Sequence, residues 1–85
     1  MSEISRFYGI VISMLYKEHN PPHFHVKYGE YRVQITIKEG IVKGSLPRKA
    51  LTLVFEGLDM HKGELLGNWE RMKQKGNLKN IDPLA

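Results

Sequence analysis

An α+β fold follows from a change of period along the chain. Up to about residue 45, apolar and polar residues alternate or gather in short β-branched and aromatic blocks; from Arg48 onward the apolar residues recur at helical spacing. Tight-turn dipeptides, Gly29-Glu30 and Glu39-Gly40, punctuate the alternating blocks. The reading is a four-stranded antiparallel β-meander with a long, kinked or broken C-terminal helical segment packed on its apolar face. Residues 1–85 form a single domain, with strands at about 6–16, 23–28, 31–38 and 41–45, helix over 48–75 and an irregular tail over 76–85.

The first strand is expected in Phe-Tyr-Gly-Ile-Val-Ile-Ser-Met-Leu-Tyr, Phe7 to Tyr16. It is apolar on both alternating faces, as a central strand covered on both sides would be. Gly9 within it marks a bulge or a close approach. The next pair of strands is the clearest. Gly29-Glu30, with glycine first, suits a type II′ hairpin, and Tyr31 to Lys38 alternates strictly. That hairpin sets Tyr28 opposite Tyr31, Lys27 opposite Arg32, Val26 opposite Val33, His25 opposite Gln34 and His23 opposite Thr36. Phe24, Val26, Tyr28, Tyr31, Val33, Ile35 and Ile37 then face the core, while His23, His25, Lys27, Arg32, Gln34 and Thr36 form a polar, cationic face. Ile41 to Ser45 reads as a short fourth strand.

Pro47 suits a helix start. Leu51, Val54, Leu58, Leu65, Trp69 and Met72 make the helical stripe, with His61 or Lys62 in its gap. Gly57, Gly63 and Gly67 each cost roughly 1 kcal/mol in a helix interior, and a straight segment of this length would span roughly 42 Å, so a kink or break is expected between Gly57 and Gly63. Gly76-Asn77 signals the C-terminal cap. In the tail, Leu78, Ile81 and Leu84 can dock. The core is expected to contain Ile10, Ile12, Phe24, Val26, Val33, Ile35, Ile37, Leu51, Val54, Leu58, Leu65 and Trp69.

The chemistry-bearing stretch is His19-Asn20-Pro21-Pro22-His23-Phe24-His25, which holds three of the four histidines. Each proline fixes its own φ and extends the residue before it, so the connection is stiff; either X-Pro bond can be cis. His23 and His25 share a strand face, and the rigid turn holds His19 nearby. His19, Pro21, Pro22, His23, His25 and Gln34 form one candidate cluster, joined by His61 and Glu64, one helical turn apart. Three imidazoles can ligate a transition metal such as zinc or act as acid and base. Against this, structural zinc sites use four ligands at recognisable spacing, and no carboxylate lies close by.

Composition narrows the classes. The chain has no cysteine, which excludes a disulfide framework and thiol catalysis. No apolar run approaches the roughly 18 residues of a membrane span, and no secretory signal is apparent, so a cytoplasmic location is expected. The formal net charge is +4. Arg71, Lys73, Lys75 and Lys79 carry that excess, since acids and bases cancel over the rest of the chain. This cluster can meet phosphate, or it can complement the negative end of the helix dipole.

Several segments together resemble a known family. Ile4-Ser5-Arg6-Phe7-Tyr8-Gly9-Ile10, His19 to Val26 with its Pro-Pro-His-x-His motif, Gly44-Ser45-Leu46-Pro47-Arg48, His61-x-x-Glu64-Leu65 and Asn68-Trp69-Glu70 are similar to the small bacterial domain-of-unknown-function 4160 family. Gly57, Gly63 and Gly67 depart from its helical region. The resemblance carries no established activity. It implies a small stand-alone bacterial protein, encoded beside another small protein in an arrangement like toxin–antitoxin modules.

The expected function is therefore a non-enzymatic binding protein of such a two-gene module, without a cofactor. It would act through a partner protein encoded nearby, with nucleic acid as a second class of partner and a homo-oligomer compatible. The alternative is a metal-dependent hydrolase or nuclease in which His19, His23 and His25 ligate the metal and His61 or Glu64 serves as fourth ligand or general base.

Overall fold

The computed structural model describes residues 2–16 and 19–83. Five strands, not four, build its sheet. β1 (Ser2–Phe7), β2 (Ile10–Met14), β3 (His23–Tyr28), β4 (Tyr31–Thr36) and β5 (Val42–Gly44) lie in sequence order, each antiparallel to the next, and α1 (Arg48–Lys73) follows.

The additional strand arises at Tyr8-Gly9. Both residues take positive φ, 50° and 78°, as a two-residue type I′ turn requires, and Phe7 pairs with Ile10 across it. The expected single strand over 6–16 is thus a hairpin. Asn-Gly or Asp-Gly is the usual pair in such a turn, and an aromatic residue at positive φ is uncommon, so Tyr8 hides the signal. The irregularity lies instead in β1. Glu3 pairs with Ser13 but Ser5 pairs with Ile12, leaving Ile4 as the extra residue. Ile4 is buried, and its carbonyl accepts the Ile81 N–H at 2.7 Å. The shift puts Ser5 in line with Ile12, on the apolar face.

The β3–β4 register runs from His23 opposite Thr36 to Tyr28 opposite Tyr31, as the hairpin predicts. Gly29 has φ of 58° and Glu30 is not among the positive-φ residues, which fits the type II′ turn. β4 ends at Thr36, two residues early. There the Thr36 hydroxyl oxygen accepts the Ile41 N–H at 2.8 Å and the Thr36 carbonyl accepts the Gly40 N–H at 3.0 Å. Ile37 leaves the ladder to donate to the Pro22 carbonyl at 2.9 Å, yet its side chain stays fully buried.

α1 closes the apolar face of the sheet. Ala50, Val54, Leu58, Leu65, Asn68, Trp69 and Met72 are its buried stripe, and Leu51 is half-buried. Each large apolar side chain buried is worth ~1.5–3 kcal/mol, so packing outweighs the three interior glycines, at ~1 kcal/mol each. Arg48–Lys73 is one helical element in which His61 alone departs from helical dihedrals (φ −122°, ψ 22°), at the gap in the stripe. At the C-terminus Lys75, not Gly76, takes the left-handed conformation, with φ of 58°. Its N–H donates to the Met72 carbonyl and that of Gly76 to the Arg71 carbonyl, the two bonds of a Schellman motif.

The tail then folds back over β1. The fully buried Asn68 accepts the Lys79 N–H at 2.8 Å on Oδ1 and donates Nδ2–H to the Lys79 carbonyl at 2.9 Å. Ile81 is buried and Leu78 half-buried, while Leu84 lies outside the described residues. Among the described residues no helix is long and apolar enough to cross a membrane.

Candidate functional site

The histidine turn enters β3 through a cis Asn20–Pro21 bond. His23 Nδ1 lies 2.8 Å from the Pro21 carbonyl. A carbonyl only accepts, so this contact places the proton on Nδ1. His23 is 4% exposed, its ring tilted against the Trp69 indole at 5.1 Å between centroids and edge-on to His25 at 5.4 Å. The expectation of His23 on an open polar face is therefore corrected. Its strand position is as expected, but the Trp69 indole packs on the ring and removes it from solvent.

The expected cluster is divided among three places. His19, Pro21, His23 and Gln34 border one depression of about 230 Å³ together with Thr36 and Lys43. His25 opens instead onto a second groove, and Pro22 is half-buried behind the turn. His61 and Glu64 are elsewhere: His61 Nδ1 sits 2.7 Å from Glu64 Oε1, and His61 borders a small cavity beneath the helix. Among the described residues no three His, Cys, Asp or Glu side chains converge in a way that holds a metal ion, so His19, His23 and His25 do not form a ligand set there.

The basic C-terminal residues are also dispersed in role. Arg71 is half-buried and donates to Asn68 Oδ1 at 3.2 Å. Lys73 lies 3.9 Å from Glu70, Lys75 occupies the helix cap, and Lys79 is held by its backbone.

The extended polar surface is the face of the sheet away from α1. Residues paired across strands share a face, and the ladder sets out two rows. One is Arg6, Val11, Lys27 and Arg32, across β1 to β4. The other is Glu3, Ser13, His25, Gln34 and Lys43, across all five strands. A groove of about 390 Å³ runs between them, bordered by Arg6, Val11, Ser13, His25, Lys27 and Arg32. Arg6 is held by Glu3 through two hydrogen bonds, Nη2 to Oε1 at 2.8 Å and Nε to Oε2 at 3.1 Å. The hydrogen bond and charge of Arg6 lower the Glu3 pKa, and Glu3 in turn raises that of Arg6. Lys27 and Arg32, both exposed, face one another with no carboxylate paired to either among the described residues.

Glu3, Arg6, Val11, Ser13 and Lys43 were not visible as parts of this surface from sequence. The alternation of Val11 and Ser13 with Ile10, Ile12 and Met14 was the available signal, but it pointed outward only once the Tyr8-Gly9 turn was known.

Fold and surface together define a small α+β protein whose single antiparallel sheet is closed by a helix on one side and presents a polar, cationic face on the other. A family model described as domain of unknown function (DUF4160) matches residues 9–70, and the chain belongs to that family. No curated protein and no solved structure matches it.

Proposed function

We propose that this chain is a cytoplasmic, non-enzymatic binding protein, one half of a bacterial two-gene module of toxin–antitoxin type. Its open sheet face takes an acidic segment of the partner protein encoded beside it. The observation that carries this reading is Lys27 directly opposite Arg32. Like charges facing each other across a ladder destabilise a sheet. An acidic partner offsets that repulsion, and the adjoining His25 and Gln34 add hydrogen-bonding groups.

The same charge attracts nucleic-acid phosphate, but the two rows contain no Phe, Tyr or Trp and offer bases only His25, Arg6 and Arg32 as planar groups. A protein partner is thus favoured over single-stranded nucleic acid. The test is a titration of the purified neighbouring gene product, and separately of duplex DNA and of RNA, at about 50 and 200 mM salt. The reading expects a stoichiometric protein complex weakened by salt, tighter than either nucleic acid. A complex indifferent to salt, or none with the neighbour, contradicts it.

A further inference from the structure

Two buried polar atoms on the closed side of the sheet have no protein partner. Ser5 Oγ and His61 Nε2 make no hydrogen bond, to each other or to any other described residue. Ser5 is 9% exposed, and the His61 side chain is 14% exposed. Both border the same cavity, between β1, β2, β3 and α1. Its other walls are largely apolar, among them Phe7, Ile12, Phe24 and Leu65, and Asp82 stands at its margin.

A buried hydroxyl or imidazole nitrogen left unpaired forfeits the hydrogen bonds it makes to water in the unfolded chain. Two such atoms on one cavity call for a common partner. The cavity measures about 20 Å³, and a site of roughly 10–15 Å³ on the same measure admits one water when polar partners are present. His61 is already oriented. Glu64 Oε1 accepts from Nδ1 at 2.7 Å, and in that tautomer Nε2 is the acceptor nitrogen, with no partner among the described residues. Ser5 supplies the complementary group, a hydroxyl able to donate and to accept.

We propose that this cavity is a binding site for one water molecule, which donates to His61 Nε2 and accepts from Ser5 Oγ–H. The chain Glu64–His61–water–Ser5 then ties the residue that follows the β1 irregularity to the non-helical residue of α1. This accounts for two local departures at once. The register shift in β1 puts a serine on an apolar face, and the backbone of His61 leaves helical values where its ring turns inward. The water is held independently of the open sheet face, so this inference stands or falls apart from the proposed function.

The test is magnetisation transfer from water to the side-chain protons of Ile12, Phe24 and Leu65 in the isotopically labelled full chain, paired with a xenon titration. The expected result is a water cross-peak of the sign given by a long-lived site at these protons, with xenon leaving their shifts unchanged. Ser5→Val, which fills the space with methyl groups, abolishes that cross-peak while the amide spectrum stays dispersed; Ser5→Ala serves if the valine variant does not fold, and there the cross-peak weakens. The idea is overturned if the wild-type protons show no transfer from water and shift on adding xenon, the behaviour of a dry apolar cavity.

Discussion

The imidazole of His23 lies 5.1 Å from the Trp69 indole, centroid to centroid, and both rings are buried. The first histidine of the Pro-Pro-His-x-His stretch is thus a packing residue. Its Nδ1 secures the turn that precedes it through the Pro21 carbonyl. Replacing Trp69 by Ala should cost ~3–5 kcal/mol through lost burial and the cavity left behind. His23→Ala should cost ~2–4 kcal/mol, combining a lost buried hydrogen bond with lost packing. His19→Ala, on an exposed residue, should change stability by no more than about 0.5 kcal/mol. Urea unfolding of the three variants checks the order, and equal effects for His19 and His23 would refute the structural role given to His23.

Asn68 holds the tail with two bonds to the Lys79 backbone, and the Ile81 N–H reaches Ile4. Asn68→Ala strands a buried backbone N–H and carbonyl, at ~1–3 kcal/mol for each group that water does not recover. Hydrogen exchange should accelerate first at the amides of Lys79 and Ile81, and more than at β3 amides. Uniform acceleration along the chain would show that the tail is not a separately anchored unit.

Acid sensitivity should contain an identifiable share from Glu3. Its pKa is lowered in the folded chain, chiefly by the hydrogen bond from Arg6. The contribution of the pair is therefore fully present above the ordinary glutamate value. It is lost as pH falls through the lowered, folded value. The gap in urea midpoint between wild type and Glu3→Gln should be largest near neutral pH and shrink as pH falls below the ordinary glutamate value. A gap that widens on acidification would reverse the assigned sign. Both side chains are well exposed, so added salt should shrink it.

Some of this architecture was legible in the residues and some was not, for physical reasons. The β3–β4 register could be read because a two-residue turn with glycine first leaves one pairing compatible with the alternation. The β1–β2 hairpin could not, because Tyr8 occupies a turn position usually held by Asn, Asp or Gly. Strand alternation placed His23 on the face shared with His25 but carried no information about the Trp69 ring that packs on it. Asn68 sits in an apolar stripe, where it reads as an interruption; only the returning tail shows what it binds. The open face was half-visible, as Lys27, Arg32, His25 and Gln34, and its other half waited on the pairing of β1 with β2.

The most direct test of the proposed function is charge reversal on that face, with binding and stability measured on the same variants. Lys27→Glu sets opposite charges face to face across β3 and β4, so the fold should be unchanged or stabilised by ~0.2–1 kcal/mol. The same variant, and more so Lys27→Glu with Arg32→Glu, should bind the purified neighbouring gene product at least about tenfold more weakly at low salt, a loss of about 1.4 kcal/mol or more. Folded variants that keep wild-type affinity within about twofold would contradict the claim that this face is where the partner sits.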